Sequence, residues 1–359
     1  MSRYFTSDLK ELTPYVPGEQ PVDKKYIKLN TNESPFPPSP EVLKAINDGE
    51  KGKLNLYPDP EALSLRKALA ESFGVSAENV IVTNGSDETL SFAFRAFCGS
   101  DKGAAFADIT YGFYPVYCKY YGIKCKVLPL NEDFTINTED YISTPETVFI
   151  ANPNAQTGIF LPVEEIEKIA SSDINRVVVV DEAYVDFGSQ SCIGLTKKYP
   201  NLLVVGTFSK SRSLAGGRLG YAVGDRELIG DLNTVRYSFH PYSVNRLTMV
   251  AGIAAIKDKE YFEKCTKEII KTREYTSCAL KNLGFYVTPS AGNFILARHD
   301  KMSGKALYSR LKGTGILVRI FPDERIRDFI RITIGTKTDM ETFVLQVGKI
   351  LQEVDNEGI

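Results

Sequence analysis

Val177-Val178-Val179-Val180-Asp181-Glu182-Ala183-Tyr184 is the stretch that decides the fold. Four consecutive valines are apolar on both alternating faces. That pattern marks a strand covered on both sides, as in a parallel sheet flanked by helices. An acid follows where the strand ends. Ligands of open α/β sheets bind at the carboxyl ends of their strands, which makes Asp181 and Tyr184 candidates for a site. A carboxylate at the edge of a buried layer is costly unless a cation or an N–H meets it. The plainer alternative is a surface acid on a loop.

Outward from this strand the chain alternates. Asn79–Val82, Ala104–Phe106, Lys124–Leu128, Thr147–Ile150 and Leu202–Val205 are further short apolar runs, each bounded by Gly, Pro, Asn or Asp. Glu61–Phe73 and Asp87–Phe97 read as helices, the second with an acidic first turn. Strands separated by helices imply an α/β sheet. The last third differs. Asp258–Asn282 predicts one long amphipathic helix. Phe294–Ala297, Gly315–Ile320 and Phe329–Ile334 predict strands, and Lys305–Lys312 and Thr338–Glu353 predict helices. The Pro-rich N-terminal region, up to about Pro40, reads as an extended arm. The expected organisation is a large domain over 40–258 and a smaller α+β domain over 259–359, to which the arm 1–39 returns.

Composition narrows the function. The chain has 359 residues, 43% of them hydrophobic, enough for two domains. Lys plus Arg number 43 against 45 Asp plus Glu, a net charge of −2, which argues against a polyanion-binding surface. With only His240 and His299, a multi-histidine metal centre is excluded. The cysteines at 98, 118, 125, 192, 265 and 278 contain no Cys-x-x-Cys pair, so zinc-ribbon and thioredoxin-type readings fail. They are too sparse for a disulfide framework and are expected to be reduced. The first eight residues lack the apolar core of a signal peptide, and no stretch approaches the ~20 apolar residues of a membrane span. A cytoplasmic protein with neither membrane nor nucleic-acid partner is expected. The common phosphate-loop, dinucleotide, nucleophile-elbow and zinc-protease motifs are all missing.

Four polar clusters stand at predicted strand ends. Thr83-Asn84-Gly85-Ser86-Asp87-Glu88 turns from strand to helix. It is either an ordinary capped helix or an anion site built from unpaired N–H groups and the Ser86 hydroxyl. Asn152-Pro153-Asn154-Ala155-Gln156-Thr157-Gly158 is a rigid loop whose Asn side chains either brace the turn or meet a ligand. Asp181 to Tyr184 is the third. Thr207-Phe208-Ser209-Lys210-Ser211-Arg212, followed by Gly216-Gly217-Arg218-Leu219-Gly220, is the strongest. A lysine near other cations in a partly dry site becomes nucleophilic, and Arg212 and Arg218 could supply that charge. Arg218 could also clamp a phosphate. The bland alternative is a solvated basic loop. A cofactor with a phosphate, a flat ring, a basic ring nitrogen, a phenolic oxygen and an aldehyde would use all of these groups. Pyridoxal phosphate fits that description.

With these clusters the sequence resembles the fold type I aminotransferases, class I and II, over nearly its whole length. More narrowly it resembles the histidinol-phosphate aminotransferase family, on Leu12-Thr13-Pro14-Tyr15-Val16-Pro17-Gly18, Asn30-Thr31-Asn32-Glu33-Ser34-Pro35, Tyr57-Pro58-Asp59 and Phe329-Ile330-Arg331-Ile332-Thr333-Ile334-Gly335-Thr336. The resemblance implies a mostly parallel mixed sheet between helices and a smaller α+β domain. It implies pyridoxal 5′-phosphate held covalently by Lys210. Asp181 would face the ring nitrogen, Tyr184 and Asn154 the phenolic oxygen, and Tyr111 the ring itself. Ser86, Asp87, Glu88, Ser209 and Arg218 would surround the phosphate. Tyr57 would reach the cofactor of a second subunit, implying a homodimer with shared sites. Arg331 would bind the carboxylate of glutamate or the phosphate of histidinol phosphate, with Tyr15, Asn32 and Arg319 lining the substrate side.

The implied reaction moves an amino group between L-histidinol phosphate and 2-oxoglutarate, in histidine biosynthesis. Aromatic amino-acid aminotransferases and threonine-phosphate decarboxylases share most of these features. A non-catalytic regulator with a degenerate aminotransferase domain is disfavoured, because every cofactor-site residue is present. One departure stands out. The family often carries Asn-Pro-Asn-Asn-Pro-Thr-Gly, whereas this loop lacks the second proline.

Overall fold

Val178, Val179 and Val180 emerge at the centre of a seven-stranded sheet, with Val177 just before the strand, in the computed structural model, which describes residues 3–10, 12–48 and 50–357. Met1 and Ser2, part of the N-terminal stretch read above, lie outside them. In chain order the strands are β1 (Ile27–Lys28), β2 (Val80–Thr83), β3 (Ala104–Ala107), β4 (Cys125–Leu128), β5 (Thr147–Ala151) and β6 (Val178–Asp181). They continue with β7 (Leu202–Thr207), β8 (Gly220–Val223), β9 (Tyr286–Val287), β10 (Phe294–Arg298), β11 (Ile316–Leu317) and β12 (Ile330–Thr333). The main sheet has the order β2-β8-β7-β6-β5-β3-β4. All neighbours are parallel except β8, which runs against both β2 and β7.

Alternation sorts the side chains to two faces. Val80, Val82, Val148, Ile150, Val178, Val180, Leu202 and Val204 join one core with Leu65 and Leu69 of the helix Leu63–Phe73 and Ile166 and Ile169 of Val163–Ser172. Ile81, Phe149, Val179, Leu203 and Val205 join the other, with Leu90 and Phe94 of Ser86–Phe97 and Ile229 and Leu232 of Arg226–Phe239. Each valine of β6 is fully buried, which is why the run tolerates no polar residue. Arg176, also buried, precedes it. Its guanidinium donates to the carbonyls of Tyr141 and Thr144 and, at 2.9 Å, to Ile169. These are carbonyls at or near helix C-terminal ends, where a cation is favoured.

A second core lies beyond the sheet. Phe294, Ile295, Ile332, Phe343 and Val347 pack with Ile269 and Leu280, and with Ala151, Ala155, Tyr184 and Phe187 from the main body. β12, β10 and β9 form an antiparallel sheet there. The expected strand Gly315–Ile320 is shorter and placed elsewhere. Only Ile316–Leu317 is a strand, and it pairs in parallel with β1 of the arm. Arg319 then turns to a single bridge with Arg331. The arm is extended and paired here. It contributes β1, continues the pairing through Leu29, which links Leu317 and Thr333, and ends at the helix Pro40–Asp48.

The helix expected from Glu61 begins at Leu63. Ala62 sits in the left-handed region at φ 46°, and the Asp59 carboxylate accepts from the N–H groups of Glu61 and Leu63.

Candidate active site

The carboxyl ends of β2, β5, β6 and β7 surround one cavity of about 330 Å3. After β2 the chain turns at Gly85, φ 83°, into the helix Ser86–Phe97. A side chain at 85 would place its Cβ 2.6 Å from an Arg218 nitrogen, so only glycine lets the guanidinium lie over this turn. Gly220 is tighter still. A Cβ there would sit 2.3 Å from the backbone of Gly85 and Ser86. Ser86 and Asp87 thus present a helix N-terminus to the cavity beside Arg218. The Asp87 carboxylate accepts from Arg218 at 3.0 Å and from the Tyr111 hydroxyl at 2.6 Å. Arg218, at φ 50°, is 45% exposed along its side chain.

Asp181 closes β6 and is buried. It accepts from the Ala183 N–H at 3.2 Å and the Tyr114 hydroxyl at 3.3 Å. Burial pushes its carboxyl up to about 7, because these two donors and the Lys210 charge only partly offset the loss of water. Its surroundings therefore favour any cation placed against it. Lys210 follows β7. Its ammonium donates to the Thr31 carbonyl at 3.3 Å and lies 5.8 Å from the centre of the Tyr184 ring. Ser209 lines the same cavity and its hydroxyl is 3.0 Å from that of Thr207.

A second cavity, about 710 Å3, adjoins the first across Lys210, Tyr184 and Tyr111. Tyr15, Gln156, Arg319 and Arg331 line it. Tyr15 stacks on Phe113 at 4.4 Å, and Arg319 donates to the Val16 carbonyl at 2.8 Å, so the arm forms a wall. Arg331 comes from β12. Burial lowers the pKa of its guanidinium, and the neighbouring charge of Arg319 acts in the same direction.

Several expected residues sit differently. Asn32 does not line either cavity. It is buried behind Tyr184 at φ 54°, and its amide donates to the Tyr184 hydroxyl at 3.0 Å. The Asn154 amide donates to the Ile109 carbonyl at 2.7 Å, and its carbonyl accepts from the N–H groups of Gln156 and Thr157. That side chain makes the bend for which a second proline was expected. Glu88 accepts from the Asn84 N–H at 2.7 Å and braces the turn from outside the cavity. Arg212 points away from Lys210's cavity, lying 3.6 Å over the Phe262 ring and donating to the Ala255 carbonyl. It is not the cation expected beside Lys210. Tyr57 is 77% exposed and stacks on Tyr242 at 4.6 Å, outside both cavities.

Sequence reasoning missed Thr31, Glu33 and Gln156 as lining residues. Glu33 pairs with Lys28 at 2.8 Å. Burial raises its carboxyl, but bonds from Lys28 and Thr31 and the charge of Lys210 outweigh that and hold it low. Its place beside Ser34-Pro35 in the arm gave the only signal.

Residues 24–347 match the family Aminotransferase class I and II. The chain is 47% identical to the histidinol-phosphate aminotransferase of Clostridium botulinum strain Hall, over 99% of this chain and all of that one. It is 47% identical to that of Brachyspira hyodysenteriae, over 98% of this chain and all of that one. The crystal structure of histidinol-phosphate aminotransferase from Sinorhizobium meliloti, in complex with pyridoxal 5′-phosphate, superposes with a TM-score of 0.87 at 26% identity, covering all of this chain and 99% of that one. The chain belongs to the aminotransferase class I and II family, among the histidinol-phosphate aminotransferases.

Proposed function

We propose that the protein is a pyridoxal-phosphate-dependent transaminase moving an amino group between L-histidinol phosphate and 2-oxoglutarate. The observation that carries this reading is the meeting of two unlike chambers at Lys210. One holds a buried carboxylate and a helix N-terminus with Arg218. The other holds Arg319 and Arg331 with no acid paired to either among the described residues.

The first chamber fits the cofactor. Asp181 is a buried carboxylate met by an N–H and a hydroxyl, and it favours a cationic ring nitrogen. Ser86, Asp87, Ser209 and Arg218 would hold the phosphate, and Tyr111 and Tyr184 the ring. Asn154 belongs to this set through the bend it makes, and Glu88 through the turn it braces. Bound, the cofactor supplies a carbonyl carbon for the amino group and an electron-withdrawing ring. The protein's own part is proton transfer and orientation. Lys210 would hold the cofactor covalently, and once the donor's amino group has displaced its amine, that amine would take the proton from the substrate carbon. The Tyr184 hydroxyl accepts from Asn32, so its own hydrogen remains for the ligand. Arg331 and Arg319 bind the anionic end of each substrate, and Tyr15 covers it.

This reading includes a body over 40–258 and a smaller unit of 1–39 with 259–359, supported by the second core around Phe294 and Phe343, which the main body joins through Ala151, Ala155, Tyr184 and Phe187. It includes a homodimer, in which the exposed Tyr57, with Leu54 and Leu56 beside it, meets the second subunit. A cytoplasmic setting fits six free cysteines, and no helix of the described residues is long and apolar enough to cross a membrane.

The test is a half-reaction screen. Cofactor-loaded protein is mixed with histidinol phosphate, threonine phosphate, phenylalanine and tyrosine, and the cofactor absorbance is followed. Histidinol phosphate is expected to react fastest. Faster reaction with phenylalanine, or carbon dioxide release from threonine phosphate, would overturn the substrate assignment.

A further inference from the structure

The loop that departs from the family pattern puts Gln156 against Arg331. The Gln156 side-chain carbonyl accepts from Arg331 Nη1 at 3.0 Å, and its amide nitrogen donates to the Thr110 carbonyl at 3.1 Å. Arginine can only donate and a backbone carbonyl can only accept, so one orientation of this amide satisfies both neighbours. The Gln156 N–H is also used, donating to Asn154 at 2.9 Å. Proline at this position would lack both the N–H and the side-chain carbonyl.

The rest of the Arg331 environment explains why this contact matters. The Ala155 carbonyl takes the other bond from Nη1, at 2.9 Å. The guanidinium lies between the Phe294 and Phe321 rings, 5.2 and 5.3 Å from their centres. Nε is enclosed and has no partner, and no acceptor among the described residues meets Nη2. The charged group facing it is another cation, Arg319. Arg331 is thus aimed by two neutral acceptors on one nitrogen while its charge stays uncompensated.

We infer that Gln156 is a positioning residue for Arg331, fixing the guanidinium so that its remaining donors meet the carboxylate or phosphate of the substrate. This rests on the transaminase reading, in which Arg331 binds that anion. Neutral acceptors suit the task. They orient the cation without neutralising it, and they do not compete with an incoming anion as a carboxylate would.

Two variants of the cofactor-loaded protein test it, Gln156→Ala and Gln156→Glu. Half-reaction titrations with glutamate and histidinol phosphate give the half-saturating concentration and the limiting rate separately. Loss of the contact in Gln156→Ala is expected to raise half-saturation about 3- to 10-fold for both donors. The near-isosteric Gln156→Glu places a carboxylate on Arg331 and is expected to raise it by about 10-fold or more. The limiting rate should stay within about twofold in each, a split that general damage to the fold would not give.

Unchanged half-saturation in both variants, or a fall in limiting rate alone, overturns the inference. Arg331→Ala separates the two failures. If it too leaves half-saturation unchanged, the anion-binding reading of Arg331 is what fails. If it raises half-saturation while the Gln156 variants do not, the role of Gln156 fails alone. In the Arg331→Ala background, Gln156→Glu is expected to add nothing further.

Discussion

The side-chain amide of Asn32 donates to the hydroxyl of Tyr184 across 3.0 Å, joining the N-terminal arm to the loop after β6. Asn32 is held in place by reciprocal bonds with Thr333, its N–H and its side-chain carbonyl each 2.9 Å from the Thr333 hydroxyl, and by Asn293 on its carbonyl. Its backbone lies at φ 54°, a region that asparagine and glycine enter more easily than other residues. Asn32→Gly keeps that conformation and removes the bond. It should lower turnover by no more than Tyr184→Phe does, with little further loss in the double variant beyond that of Tyr184→Phe. Asn32→Ala adds backbone strain of about 1–2 kcal/mol and should melt lower than Asn32→Gly. Additive effects of Asn32→Gly and Tyr184→Phe on turnover would count against the link.

Lys210→Ala should reduce turnover by at least about 10²–10⁴-fold, the usual contribution of a positioned proton-transfer group. Lys210→Arg keeps the charge but not the primary amine that would bond the cofactor, and should be similarly inactive. Near-normal steady-state turnover in either variant would sink the assignment.

The pH dependence of the cofactor-free protein has a definite sign. Asp181 and Glu182 are both pushed up to about 7 by burial, from the ordinary carboxylate range. In the folded state they therefore hold protons that the unfolded chain has already released between about pH 4 and 7. Folding stability from these groups is present at the acid end of that window and is lost as pH rises through it, by on the order of 4 kcal/mol for Asp181. Thermal melts at pH 5 and pH 7.5 should show a smaller difference for Asp181→Asn than for the parent. Parallel shifts in the two proteins would contradict the burial argument.

Arg218, Gly85 and Gly220 form one packing unit. Gly85→Ala should displace the guanidinium and weaken pyridoxal phosphate retention, with an effect in the same direction as Arg218→Ala, measured by equilibrium dialysis. Gly220→Ala has backbone rather than a flexible side chain in its way. It should destabilise the fold by about 3 kcal/mol or more and yield little folded protein. A normally melting Gly220→Ala would show that β2 and β8 can separate more than their pairing suggests.

Much of this was legible in the sequence because the signals were local. The valine run marked a strand covered on both faces, and Asp181 ends that strand while Lys210 follows β7 by three residues. What was not legible depends on tertiary partners. The antiparallel strand Gly220–Val223 is short, follows a glycine-rich loop and acquires its direction only between β2 and β7. The helices Arg226–Phe239 and Arg246–Lys257 were not singled out, although Leu228, Ile229 and Leu232 of the first and Ala251 and Ala255 of the second show helical spacing in the core. The left-handed Ala62 contradicts residue preference outright. In the site, residue type and strand-end position marked the chemistry. They did not show that Asn32 works behind Tyr184, that Asn154 makes the bend, or that Arg212 turns away.

The pairing of β1 with β11, and of Leu29 with Leu317 and Thr333, has a consequence for how the molecule is made. On the ribosome, residues 27–32 emerge well before residues 316–333, the partners with which they pair. The strands of the central sheet are complete by Val223. A nascent chain can therefore assemble the sheet that carries Asp181 and Lys210 while both chambers still lack the arm that completes them. Chains truncated before residue 316 should keep the sheet-borne residues of the first chamber and lose the arm's anchorage, leaving a lysine and its carboxylate with nothing to select what reaches them.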